Sequence, residues 1–274
     1  MPTVLFWNLN RRGLTEEVSQ LCRIHSVDIL VLAEAGLSDL KFQRQLSRET
    51  GSAYIAPYNE LSSRIRFFFR YPSESIRPAA DSYGLSIREI RPPLGRSVLI
   101  AGVHLSSKRH ADREEQLFQA RDAVAKIAET EENLGHSRTL VIGDFNMNPF
   151  EGGLVDADSF HGVMTMHIAQ KQDRNVRKMK RKFFYNPMWS RMGDGSEGPA
   201  GTYYYQRSRN REFFWHTFDQ ALIRPALLPS FRRENLKILT AVGSRSLLTE
   251  GEISSGYSDH LPIMIELTTE LEGL

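Results

Sequence analysis

Cysteine is nearly missing from this chain, with Cys22 the single one among 274 residues. That excludes an internal disulfide framework and any cysteine-rich zinc site, and it suits a reducing, cytoplasmic setting. No run reaches the roughly 18 apolar residues of a membrane span, so no stable membrane insertion is expected. The segment Met-Pro-Thr-Val-Leu-Phe-Trp-Asn carries no basic region and turns polar after a few apolar residues, so a secretion signal is not expected either. Charge of one sign is also lacking. Thirty-five Lys and Arg face 33 Asp and Glu for a net +2, so any preference for a polyanion has to come from local charge. No repeat, low-complexity tract or linker rich in Pro, Gly or Ser divides the chain. With 41% hydrophobic and 25% charged residues the composition is globular. One domain over residues 1–274 is expected, with a basic and aromatic insertion at about 150–216.

Short apolar runs rich in β-branched and aromatic residues alternate with two helical patterns in the first half. Thr3 to Leu9 reads as a strand. Residues 13–26 place Leu14, Val18, Leu21 and Cys22 on one helical face, and Asp28 to Ala33 has the length of a buried strand. Another strand is expected at 97–103, then a helix over roughly 111–132 with Leu117, Ala120, Val124 and Ile127 as its apolar stripe, then a strand from Thr139. Further strand-like stretches are Arg64 to Arg70, Gly84 to Ile90, Gly201 to Tyr205, Phe218 to Ile223 and Leu261 to Leu267. Strands outnumber helices too heavily for a simple doubly wound sheet; two packed sheets with helices on the outer faces fit better.

Isolated polar residues interrupt these apolar runs in a pattern. Asn8, Glu34, His104, and Asp144 with Asn146 stand at the C-terminal ends of expected strands. Asp219, and Asp259 with His260, stand at strand beginnings. If the late strands run antiparallel to the early ones, all eight groups meet at one sheet edge. Each alone can be a turn or capping residue. Together, four carboxylates, two amides and two imidazoles are a composition for metal and phosphate rather than for packing.

Phe-Trp-Asn-Leu-Asn at 6–10, Leu-Ala-Glu at 32–34, Val-His-Leu at 103–105, Ile-Gly-Asp-Phe-Asn at 142–146, Phe-Asp-Gln at 218–220 and Ser-Asp-His-Leu-Pro at 258–262 follow one another in the order of a known family. In these elements the chain resembles the endonuclease/exonuclease/phosphatase superfamily, over about residues 3–268. The resemblance implies an α/β fold, a four-layer α/β/β/α sandwich of two packed mixed β-sheets flanked by helices. It also implies a metal-dependent phosphodiesterase. Glu34 would be the principal ligand of Mg²⁺ or Mn²⁺, with Asn8 and Asp259 nearby, because hard cations take oxygen ligands. Asp144 would orient and deprotonate the attacking water, and Asn146 would hold the nucleophile or a phosphate oxygen. His260, fixed by Asp219, and His104 would face the phosphoryl group. Asn10 stands where some members carry aspartate, which supplies less negative charge for a second metal.

Substrate choice lies in the loops. Residues 171–182 hold seven basic side chains against one acid, and Phe183, Phe184, Tyr185 and Trp189 follow, then Tyr203 to Tyr205, Arg207, Arg209 and Arg211. Basic groups neutralise phosphates and aromatics stack on bases. Asn10, Arg177, Lys178, Lys180, Arg181, Lys182, Tyr185, Trp189 and Arg207 are therefore the expected contacts with nucleic acid; a solvated basic helix or loop is the plain alternative. The leading expectation is a nuclease, DNA favoured over RNA because the His104 segment resembles the deoxyribonuclease branch. A phosphatase or phosphodiesterase for lipid or inositol head groups is the alternative, with Arg64 to Arg70 as a membrane-docking loop. A silent scaffold is the third reading, and the intact residue set argues against it.

Overall fold

Along β1 (Thr3–Asn8), Val4 and Phe6 face one way and Leu5 and Trp7 the other, the period of two that lets a strand serve two packing layers. In the computed structural model, which describes residues 2–36, 38–57, 64–92, 95–207 and 212–268, that alternation recurs throughout. Val4 and Phe6 join Val31, Phe67 and Phe69 against Ile100, Leu140, Ile142 and Ile223, forming the core between two sheets. Leu5, Trp7, Leu30 and Phe68 turn outward to meet α1 (Thr15–Ile24) and α2 (Asp39–Thr50). On the far side, Leu99, Ala101, Val103 and Val141 pack on α3 (Arg113–Leu134) through Ala120, Ala123 and Ile127. The layers are α/β/β/α.

The first sheet has five strands in the order 231–238, 263–267, β1, β2 (Ile29–Ala33) and β3 (Ile65–Phe69). The second has seven: β4 (Ile76–Ser82), β5 (Leu85–Ile90), β6 (Val98–His104), β7 (Thr139–Asp144), then Asp219–Ile223, Phe184–Tyr185 and Gly162–Val163. The last two come from the 150–216 stretch, so part of that segment belongs to the sheet itself. β1 and β2 are parallel, as are β6 and β7. Strands 219–223 and 263–267 run antiparallel to β7 and β1, which brings their beginnings to the edge where the early strands end.

Several expectations need correction. Phe67, Phe68 and Phe69 lie buried in β3, so Arg64 to Arg70 is a core strand and offers no membrane-docking loop. The buried face of α3 is turned by about one position: Gln116, Ala120, Ala123, Ile127, Thr130 and Glu131 face inward, while Leu117 and Val124 are half-buried. Polar groups can occupy that face because Gln116 donates to the Ser106 and Asn146 carbonyls and Glu131 accepts from Arg224. α2, β4 and strand 231–238 had no clear signal; α2 buries only Phe42 and Leu46, and Phe-Arg-Arg-Glu-Asn-Leu-Lys-Ile scarcely alternates.

Gly143 shows how closely the second sheet is drawn together beside the site. A Cβ there would lie 2.0 Å from the Val103 carbonyl oxygen, an atom fixed by the β6–β7 pairing. Gly143→Ala is expected to destabilise the protein by about 3 kcal/mol, the upper part of the usual overpacking range. Thermal unfolding checks this, and an unchanged midpoint would contradict it.

Candidate active site

Pairing places the site residues before any side chain is considered. Asn8 lies opposite Ala33, so Glu34 follows beside it. His104 is registered with Asp144, and Asp144 with Asp219. A backbone bridge joins Tyr203 to His260 and closes the group from the other sheet. Trp7 Nε1 donates to the His260 carbonyl at 2.8 Å, and Ser258 Oγ donates to the Asn8 carbonyl at 2.6 Å. These two bonds tie the end of β1 to the 258–260 turn.

Asp144 is at the centre. Its Oδ1 accepts the Asn146 backbone N–H at 2.8 Å; its Oδ2 accepts Asn8 Nδ2 at 3.0 Å and Asn146 Nδ2 at 3.1 Å. Asn146 Nδ2 also donates to the Leu105 carbonyl, so its amide hydrogens serve to hold Asp144 and only its Oδ1 remains for another partner. Asn146 and Glu34 both adopt left-handed backbone, with φ of 51° and 48°. Asparagine tolerates this conformation; for glutamate it is uncommon. Strain of this kind persists where surrounding structure enforces it, and here the Arg11 N–H bond to the Glu34 carbonyl does so.

His104 Nε2 lies 3.4 Å from Glu34 Oε1 and 3.8 Å from Asp144 Oδ2. That hydrogen bond, reinforced by Asn8 and opposed by partial burial, holds the Glu34 carboxyl down at about 2. His260 Nδ1 meets both oxygens of the fully buried Asp219, at 2.9 and 3.1 Å. Burial alone would push the imidazole down, but the Asp219 and Asp144 charges prevail and raise it, so it stays cationic. Burial raises Asp219 as well, against the pull of His260. His260 Nε2 is left facing the cleft, 4.0 Å from Asp144 Oδ2.

Two sets of ligand atoms could receive a cation. Asp144, Asp219 and His260 offer atoms within 4.8 Å of one another, yet Asp219 and His260 are engaged with each other and Asp144 already accepts three amide hydrogens. Glu34, Asn8 and Asp259 line the same cleft, and Asp259 Oδ1 is buried with no hydrogen-bond partner among the described residues. A buried carboxylate oxygen without a donor is costly unless something positive reaches it. This oxygen set fits Mg²⁺ or Mn²⁺.

The cleft has a volume of about 920 Å³. Its basic rim comes from Arg11, Arg64, Lys108 and Arg109, with Tyr203, Tyr205 and Phe213 among its rings. Asn10 also lines it, its N–H donating to Asn8 Oδ1 at 3.0 Å. Lys108-Arg109-His110, separated from the Val-His-Leu segment by Ser106 and Ser107, was the signal that sequence reading passed over. The expected nucleic-acid contacts fare differently. Arg177, Lys178, Lys180, Arg181 and Lys182 form a β-hairpin with residues 173–176 and do not line the cleft. Tyr185 is buried between the sheets and cannot stack on a base. Trp189 is half-buried beside Phe150, and Arg207 is exposed outside the cleft lining. Arg209 and Arg211 lie outside the described residues.

Comparison with known proteins bears on the fold and the family. The 3′ phosphatase NExo from Neisseria, bound to a product DNA hairpin, is similar with a TM-score of 0.59 and 15% identity, over 97% of this chain and 99% of that one. An AP endonuclease from Archaeoglobus fulgidus gives 0.58 and 13% over 97% and 99%. D. rerio TDP2 complexed with single strand DNA product gives 0.57 and 17% over 98% and 99%. These likenesses show the fold. A search of curated protein sequences finds no significant match. The family model described as Endonuclease/Exonuclease/phosphatase family matches residues 5–260, and the chain belongs to that family of divalent-metal-dependent hydrolases acting on phosphodiester bonds.

Proposed function

We propose that the protein is a Mg²⁺- or Mn²⁺-dependent nuclease, with DNA as the favoured substrate. The observation that carries this reading is a phosphodiesterase-like centre in a cleft whose rim is basic and aromatic. Glu34, Asn8 and Asp259 would hold the cation. When bound, it supplies positive charge to a nonbridging phosphate oxygen.

A phosphodiester is an anion that repels its own nucleophile, so the chain's residues have to neutralise charge and align an attacking water. Asp144, clamped by Asn8 and Asn146, accepts the proton of that water, and Asn146 Oδ1 helps to orient it. His260 Nε2, kept cationic by Asp219, donates to the phosphoryl group as negative charge accumulates. His104 Nε2, between Glu34 and Asp144, offers a second hydrogen-bonding edge to the phosphoryl group. Arg11, Arg64, Lys108 and Arg109 are placed to contact flanking phosphates, and Tyr203 and Tyr205 present faces to bases.

DNA is favoured because two of the similar structures hold DNA products. The lipid reading loses its docking loop, since Phe67 to Phe69 are core. The test is one panel assayed with Mg²⁺, Mn²⁺ or chelator: supercoiled plasmid, single-stranded DNA, structured RNA, poly(A), inositol phosphates and sphingomyelin. Chelator-sensitive cleavage of the DNA members is expected. Hydrolysis confined to inositol phosphates or sphingomyelin would overturn the assignment.

A further inference from the structure

The basic hairpin stands at the pole opposite the cleft. Gln116, near the start of α3, donates to the Asn146 carbonyl at 3.1 Å, which marks the active-site end of that helix. Glu131 marks the other end, holding Arg224 at 2.8 Å and Lys182 at 3.5 Å. The fifteen-residue step from Gln116 to Glu131 spans about 22 Å of helix. The sheet agrees: Tyr185 pairs with Ile223 and the Arg224 N–H with the Thr139 carbonyl, at the end of the 219–223 strand away from Asp219.

Residues 171–182 hold a net +6 where the whole chain holds +2, so everything else is net negative. Strands 173–176 and 179–182 pair with each other alone, and an isolated two-stranded ribbon is marginally stable. The register sets Arg174 directly across from Arg181, and like charges so placed oppose pairing. Arg174 leans on His161 and Lys182 on Glu131. Arg177, Lys178, Lys180 and Arg181 have no carboxylate partner among the described residues. This concentration of unpaired, largely exposed charge gains most from an extended polyanion, which supplies many phosphates without needing a shaped pocket. An anionic membrane suits it less, because Met179 is the one exposed large hydrophobic side chain on the ribbon.

We propose that the 173–182 hairpin is a second nucleic-acid surface. It grips phosphates of a segment remote from the bond being cut and tethers the enzyme to long chains. The choice of nucleic acid rests on the nuclease reading. The test compares wild type with a variant carrying Arg177→Ala, Lys178→Ala, Lys180→Ala and Arg181→Ala. A dinucleotide cannot span from the cleft to the hairpin, so its kcat/KM is expected to stay within about twofold. Affinity for kilobase-length DNA at physiological salt is expected to fall at least tenfold. The log–log salt slope is expected to be shallower by about 3.6 when all four side chains contact phosphates, since each phosphate that is no longer neutralised removes about 0.9. Lys178→Glu with Lys180→Glu gives the same sign with fewer changes should the fourfold variant fold poorly. Unchanged long-DNA affinity and slope overturn the proposal, as does an equal loss on dinucleotide and long DNA. DNA binding that is unchanged while binding to an acidic protein or an anionic vesicle disappears overturns the choice of partner. If wild type cleaves no nucleic acid and yet binds long DNA through the hairpin, the nuclease reading fails and the hairpin assignment stands.

Discussion

Asp144→Ala is expected to lower phosphodiester turnover by about 10³- to 10⁴-fold while leaving the fold in place. A positioned base contributes about 10²–10⁴, and here the loss is compounded because Asp144 also sets the orientation of its neighbours. Its oxygens receive amide hydrogens from Asn8 and Asn146 at 2.8 to 3.1 Å. Removing the carboxylate leaves those donors facing a void, and Asn146 is free to rotate away from the line of attack. Asp144→Asn is not a gentle substitute. Oδ1 and Oδ2 both act as acceptors, so either orientation of an amide turns its NH₂ against a donor. Both variants therefore belong in the same turnover assay on the preferred substrate, with circular dichroism to confirm the fold. Near-wild-type turnover by Asp144→Ala would remove Asp144 from the reaction.

The positions of all eight motif residues were legible because the strands that carry them read as apolar runs broken by one polar group. Antiparallel closure of the sandwich does the rest, putting Asp219 opposite Asp144 by register alone. What sequence did not disclose is that the Asn146 amide hydrogens are committed inside the protein, which leaves Oδ1 as its free polar atom toward the cleft. The rim was harder. Arg11, Arg64, Lys108 and Arg109 come from separate places along the chain and meet only because the strand ends bring their loops together. Local charge density misled in the opposite direction. Residues 171–182 have the greatest concentration of basic groups, yet they enter the fold between two short strands that pair at the distal end of the second sheet. Sequence reports that a patch is basic; sheet register decides which pole it occupies. Tyr185 and Phe67 to Phe69 teach a related point, because an aromatic beside a charge run can be the inward residue of an alternating strand.

His260 carries the second large effect, and two substitutions separate its catalytic role from its structural one. Nδ1 holds the buried Asp219 at 2.9 Å and Nε2 faces the cleft. In His260→Asn the side-chain NH₂ can occupy the place of Nδ1 and keep a donor on Asp219, while the cationic Nε2–H is lost. Losing one donor aimed at developing charge typically costs about 10²–10³ in kcat, and that is the expected fall. His260→Ala is expected to lose at least as much turnover and to lose stability as well, by about 3 kcal/mol, because it strands a carboxylate that is fully buried. Turnover and thermal unfolding of the two variants, measured side by side, resolve the roles. A stable His260→Asn protein with near-wild-type kcat would mean that His260 serves only to neutralise Asp219, and the phosphoryl group would then have to be met by the cation, His104 and the basic rim without it.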